Sequence, residues 1–114
     1  MQEYKLIINA SPSEIHSFEA RSFIDKLKGF MFIKKPGYAL LLKSTNSIHS
    51  FFMRFSIDVL FLDKDNKIVK IEGNIQPGRV FLPVISASKV LELPTGLVDI
   101  SKFKIGDIID FRKM

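Results

Sequence analysis

The sequence predicts a mainly-β protein: a compact sandwich or barrel of short, mostly antiparallel strands with one short helix near residues 22–29. Three observations lead there. Short segments of alternating apolar and polar residues recur along the chain, each closed by Pro, Gly, Asn or Asp. There are 11 phenylalanines, no tryptophan and 2 tyrosines, and phenylalanine favours half-buried pleated surfaces. The 114 residues suit a single domain, residues 1–114, which can bury roughly two-thirds of its unfolded surface without staples.

Tyr4–Asn9 alternates as a strand. Ser11-Pro12-Ser13-Glu14 has the form of a capping box with proline at the first helical position. Ser22-Phe23-Ile24-Asp25 offers a second box. The two compete for Ile15–Arg21, which is helix under the first and strand under the second. The second is adopted, with Ile24 and Leu27 on one face of a short helix and Gly29 as its C-terminal cap. Pro36-Gly37 turns the chain into a strand over Tyr38–Lys43, and Ser44–Ser47 is a polar loop.

Ile48–Asp63 is the longest alternating run and is expected to be the central paired strand segment. One face carries His49, Phe51, Met53, Phe55, Ile57, Val59 and Phe61. The other carries Ser50, Phe52, Arg54, Ser56, Asp58, Leu60 and Leu62. Its 16 residues exceed the usual strand of about 5–6, so a bulge or bend near Arg54–Ser56 is expected. Asp63–Lys67 is a hairpin tip returning into Ile68–Glu72. Gln76-Pro77-Gly78-Arg79 reads as a type II turn. A strand lies within Ser86–Leu93, ended by Pro94-Thr95-Gly96. Ile105-Gly106-Asp107-Ile108 turns into a last strand, Ile108–Arg112.

Composition removes several chemistries. With no cysteine, disulfides, thiolate nucleophiles, Cys-type zinc sites and iron–sulfur clusters fall away within one chain. There is no G-x-S-x-G, no phosphate loop and no dinucleotide glycine pattern, and no cofactor is expected. The net charge of +5 favours acidic partners. Lys5, Lys26, Lys43, Lys64, Lys70 and Lys89 are scattered, however, so nucleic acid ranks below a carbohydrate or a protein as partner. The N-terminus lacks the basic start and apolar core of a signal peptide. No apolar run approaches the ~20 residues of a membrane span. A soluble, cytoplasmic protein is expected as written, or an exported one if a leader has been removed.

The candidate ligand-binding residues are His49, Phe52, Arg54, Asp58, Arg79 and Glu92. Asp58 interrupts an apolar strand, where a charge needs a partner. Arg54 is four strand residues away, a span of ~13 Å, so Arg79 is the expected partner. The arrangement is either a carboxylate–arginine ligand pocket or an anchor tying the 74–83 loop to the sheet. His49 is either a base or a rim histidine bonded to backbone. Glu92 faces away from Leu91 and Leu93, either to solvent or to an arginine. His16 completes no metal-ligand spacing. Asp63–Lys67 lacks the glycine and distal glutamate of a calcium loop.

Several segments together resemble one family. They are Ala20-Arg21-Ser22, Leu27-Lys28-Gly29-Phe30-Met31, and the run from His49-Ser50-Phe51-Phe52-Met53-Arg54 to Leu62-Asp63. Pro77 and Arg79, Ala87, Val90-Leu91-Glu92-Leu93-Pro94-Thr95-Gly96 and Ile105-Gly106-Asp107 follow in order. This ordered set, a core over residues 20–110, is similar to the family called domain of unknown function 192, or uncharacterised protein family 0127. The common family pattern resembles Phe-Trp-Met-Lys-Asn-Thr where this chain has Phe51-Phe52-Met53-Arg54-Phe55-Ser56. The resemblance implies a compact β fold and supplies no activity. It hints at a setting beside pilus, secretion or other cell-envelope systems.

Three functions are carried forward. The first is a non-enzymatic binding or accessory module with a groove near Phe52, Arg54 and Arg79. The second is a small hydrolase using Asp58 with His49 or Glu92. The third is an RNA-binding β-barrel, which needs exposed phenylalanines beside lysines. The missing catalytic signature leans the expectation away from an enzyme.

Overall fold

The computed structural model of the chain describes residues 2–114. Its strands are β1 (Glu3–Ile8), β2 (Ser11–Glu19), β3 (Ala39–Lys43), β4 (Ile57–Leu62), β5 (Ile68–Ile75), β6 (Lys89–Pro94) and β7 (Ile109–Lys113). One short helix, α1 (Phe23–Lys28), follows β2, and a 3-10 turn spans Ile100–Lys102. The strands form one mixed sheet in the order β5-β4-β6-β3-β2-β1-β7. Among the described residues, only the β2–β3 pairing is parallel.

The sheet curls until its two outer strands meet. Lys67 bridges Ile108. The Ile68 N–H donates to the Asp107 carbonyl at 2.8 Å, and the Ile109 N–H to that of Asn66 at 3.0 Å. One apolar cluster draws on almost every strand: Tyr4, Leu6, Leu41, Leu60, Leu62, Leu91, Leu93 and Ile109. It therefore fills the inside of the curl. A second cluster covers the outer face of β3, β4 and β6, where Leu40, Val59, Phe61 and Val90 meet Phe30, Ile48, Met53 and Ala87. All six residues of β4 are buried. A strand covered on both faces reads as a continuous apolar run rather than an alternating one.

The helix obeys the second capping box. Ser22 Oγ accepts from the Asp25 N–H at 2.9 Å, and the Gly29 N–H closes the helix on the Asp25 carbonyl. The first box does not form, because Ser11–Glu19 is strand. Asn9 and Ala10, with φ of 48° and 67°, make the tight turn that pairs β1 with β2 and keeps Ser11 extended.

The long Ile48–Asp63 strand is corrected. Only Ile57–Leu62 pairs in the sheet. Residues 48–50 leave it and run along the 79–81 loop instead. The Ser50 N–H donates to Arg79 O at 2.8 Å, the Phe81 N–H to Ile48 O at 3.0 Å, and His49 bridges Val80. The chain then reverses through Phe51 and Phe52, the latter at φ 60°. A bend was expected near Arg54–Ser56. Here the whole segment before Ile57 is irregular and forms part of the layer over the sheet. No helix among the described residues is long and apolar enough to cross a membrane.

Candidate functional site

The layer over the outer sheet face is incomplete. Between α1, the Ser44–Phe52 loop and Val80-Phe81 it leaves a cleft of about 880 Å³. Its lining includes Leu27, Phe51, Phe52 and Val80, the run Ser44-Thr45-Asn46-Ser47, and Lys26 and Lys28 of the helix. Leu27, Phe52 and Val80 are more than half exposed, and Phe51 is 43% exposed. Apolar side chains gathered in this way at a concavity mark a surface that takes a partner or ligand.

Two of the exposed phenylalanines are held under strain. Phe32 and Phe52 have φ of 66° and 60°, in the left-handed region that bulky residues avoid. Their rings stack at 5.3 Å, and the Phe32 N–H donates to the Phe52 carbonyl at 3.0 Å. Strain of this kind costs of order 1–3 kcal/mol per residue and gathers at functional sites. Replacing Phe52 by Asn, which tolerates the left-handed region, is expected to leave stability within about 1 kcal/mol of the parent. Ligand binding is expected to fall at the same time. Thermal melting beside a binding titration reads both.

Glu92 reaches the floor of the cleft from β6. It is 2% exposed, and its Oε1 has no hydrogen-bond partner. Burial pushes its carboxyl up from 4.5 to about 8, because a charge in an apolar surround loses its hydration. The loop after α1 passes directly over it. A Cβ at Gly29 would stand 3.2 Å from Glu92 Oε1, and Gly29 has φ 50°. Gly29→Ala is therefore expected to lower stability by about 1–3 kcal/mol and to displace the Glu92 carboxyl. Urea denaturation tests the first effect, and the NMR titration of the Glu92 side chain tests the second.

His49, the other predicted polar residue in the cleft, is committed to the backbone. One ring nitrogen, Nδ1, accepts from the Phe51 N–H at 3.2 Å. The other, Nε2, therefore carries the proton and donates to the Leu27 carbonyl at 2.8 Å. Both nitrogens of a neutral ring are in use, tying α1 to the loop, so none is left to take a proton from substrate.

The predicted cluster of Arg54, Asp58, Arg79 and Glu92 does not form. Among the ion pairs of the described residues, none includes any of the four. Asp58 stands opposite Leu93 and Val59 opposite Glu92 in the β4–β6 ladder. Asp58 and Glu92 thus lie on opposite faces of the sheet, too far apart to work as a carboxylate pair. Buried Asp58 accepts at Oδ1 from the Asn74 N–H at 2.8 Å and from Thr95 Oγ1 at 3.4 Å. Ile57 pairs with Ile75 and Val59 with Glu72, so Asp58 faces two residues, Gly73 and Asn74, in a bulge. Its partner is the bulge backbone, not Arg79. Arg79 and Arg54 are exposed. The Arg79 guanidinium lies 5.6 Å from the Phe81 ring.

Sequence reasoning missed two polar clusters. Buried Ser50 donates to Gln76 O at 2.7 Å and accepts from the Arg79 N–H at 2.9 Å, fixing the 76–79 turn against the 48–50 segment. Its only signal was a hydroxyl in an apolar run. Among β1, β2 and β3, Tyr4 donates to Glu19 at 2.5 Å, and Lys43 and Arg21 lie at 3.4 Å from the same carboxylate. Burial pushes Glu19 up, but the Tyr4 hydroxyl and the Lys43 and Arg21 charges outweigh it and hold the group below its usual value. No sequence spacing links these four residues; the parallel pairing of β2 with β3 brings them together.

Comparison with known proteins bears on the family and the fold. Residues 7–111 match the family model DUF192, described as Uncharacterized ACR. A UPF0127 protein of Pyrococcus horikoshii is 38% identical over 113 residues, covering 91% of this chain and 96% of that one. A UPF0127 protein of Pyrococcus abyssi is 36% identical over 98 residues, covering 81% and 82%. A crystal structure of a Sinorhizobium meliloti protein, provisionally described as a transcription regulator, superposes with a TM-score of 0.79 at 19% identity over 96% of this chain and 92% of that one. A Novosphingobium aromaticivorans protein of unknown function gives 0.77 at 20% identity, over 96% and 84%. At such identities the two crystal structures speak to the fold alone.

Proposed function

We propose, from the premise that the chain belongs to the DUF192 family, that it is a non-enzymatic binding module whose ligand occupies the cleft between α1 and the Ser44–Phe52 loop. One observation carries this reading. Exposed Leu27, Phe51, Phe52 and Val80 surround a concavity of about 880 Å³, which is the size range of ligand sites. The groove expected near Phe52, Arg54 and Arg79 is shifted by this reading toward α1. Phe52 stays in it, while Arg54 and Arg79 are not among the lining residues.

The cleft offers poor support for hydrolysis. His49 has no free nitrogen, and Asp58 and Glu92 are separated by the sheet. An accessory role beside pilus, secretion or other cell-envelope machinery rests on the family resemblance alone. A titration followed by amide NMR, using neutral oligosaccharides and apolar peptides, tests the proposal. Saturable shifts at Leu27, Phe51, Phe52 and Val80 that weaken in Phe52→Asn support it. Cleft amides that stay still against every probe overturn it.

One observation favours RNA as a second reading: exposed aromatic rings stand beside Lys26 and Lys28, as base-stacking surfaces require. Binding of a fluorescent single-stranded oligonucleotide would then weaken steeply between 50 and 200 mM salt, on the order of tenfold or more for a few phosphate contacts. Flat binding across that range removes this reading.

A further inference from the structure

We propose that Glu92 is the ligand-recognising group of the cleft and that the ligand presents a neutral, hydroxyl-bearing ring, a sugar, to it. This rests on the binding-module reading. The motivating observation is the unpartnered Oε1 of a side chain only 2% exposed, at the floor of an open cleft. A buried polar atom without a partner is costly, and a ligand that supplies the partner recovers that loss on binding.

The chemistry of the cleft narrows the ligand. An anion meets a carboxyl at the floor, and Lys26 and Lys28 of the lining do not reach that carboxyl, since burial is the sole cause shifting Glu92. A cation must pass Lys26 and Lys28 and then ionise a desolvated acid, which the attraction barely repays in an apolar surround. A neutral ligand meets neither barrier. With its carboxyl pushed up to about 8, Glu92 is mostly protonated at neutral pH. It then offers one O–H donor and one carbonyl acceptor, the same pair that a sugar hydroxyl presents in return. The walls are suited to the rest of such a ring. Phe51 and Phe52, each stacked on one side by His49 or Phe32, bring aromatic rings to the lining, and the run Ser44-Thr45-Asn46-Ser47 brings hydroxyls and an amide.

Three proteins decide the matter: the parent, Glu92→Gln and Glu92→Leu. Each is titrated with cellobiose, maltose and chitobiose, with hexylamine, and with a Phe-rich neutral peptide, by amide NMR. The expected result is that one of the disaccharides shifts the cleft residues. Glu92→Gln, which keeps a donor and an acceptor, binds it within about threefold, and Glu92→Leu binds it roughly tenfold or more weakly, the loss of one or two hydrogen bonds. Equal sugar binding by parent and Glu92→Leu overturns the role of Glu92. Cleft shifts with the peptide or with hexylamine, and none with sugars, overturn the ligand class while leaving the binding module standing. Silence of the cleft toward every probe removes both. Folding of each variant is read from the dispersion of the same spectra.

Discussion

Phe30→Ala is expected to lower the stability of the domain by about 3–5 kcal/mol, the usual result of removing a fully buried aromatic side chain. Phe30 is 1% exposed. Its ring lies 5.6 Å from that of Phe55 and 6.2 Å from that of Tyr38. It belongs to the layer over the outer sheet face, packed with Leu40, Val59 and Phe61. A domain of this size has a total stability of roughly 5–15 kcal/mol, so the substitution removes a large share of it. The midpoint of urea unfolding would fall with little change in slope. The effect extends to the site, because Phe30 follows Gly29, the residue that passes over Glu92. A second cavity of about 390 Å³ already lies beside Phe30, lined by Phe18, Tyr38 and Leu40. Removing the ring would enlarge it and loosen the wall between it and the cleft. A loss of less than about 1 kcal/mol would mean that the layer over the sheet is not the packed core described here.

The second large effect is a dependence of stability on pH that runs opposite to the usual carboxylate. Glu92 is raised from 4.5 to about 8 by burial. In the window between those values the folded protein holds a proton that the unfolded chain has released. Stability therefore falls as pH rises through it, and the full penalty is reached only above about pH 8. At 1.36 kcal/mol per pKa unit the loss from this one group is on the order of 5 kcal/mol. Glu92→Gln cannot ionise, so its profile should be flatter. It should match the parent near pH 5 and exceed it by a few kcal/mol near pH 9. Urea unfolding of both proteins at several pH values measures this. Parallel profiles would show that the Glu92 carboxyl is hydrated in the folded state.

Both effects come from the same architectural fact, and it is the one least legible in the sequence. The alternation of Leu91, Glu92 and Leu93 correctly sets Glu92 on the face opposite the two leucines. It does not say that this face is covered as well, by residues 27–33 and 48–55. A period of 2 records which residues share a face, not what lies over it. The same limit explains Ile48–Asp63. Residues 48–56 alternate as a strand would, yet residues 48–50 bond to the 79–81 loop, and the left-handed Phe52 reverses the chain after them. A phenylalanine gives no warning of that conformation, whereas a glycine or asparagine would have done. Asp58 was legible as a group needing a partner. Its partner is a main-chain N–H in a bulge, and backbone donors leave no trace in the residue pattern. The elements bounded by turn chemistry were plain: the Ser22 and Gly29 caps, the Asp63–Lys67 hairpin tip and the turn at Gly78 are all formed. Within the cleft, His49, Phe52 and Glu92 were among the residues singled out. Leu27 and Val80 were not, because an exposed apolar residue looks like any other until its neighbours are known.

The meeting of β5 and β7 at Lys67 and Ile108 bears on how the molecule is made. β7 is also the partner of β1, running from Tyr4 opposite Lys113 to Ile8 opposite Ile109. Of the described strands, β7 is made after all the others, and it covers the outer edge of β1. Until it arrives, β1 offers a row of unpaired amides and carbonyls, and the interior lined by Leu6 and Leu62 stays open on that side. Open strand edges beside exposed apolar surface are what newly made chains aggregate through. A chain that stalls before Ile109 would be held in that exposed state, and its survival would depend on chaperones in a way that the finished protein's does not.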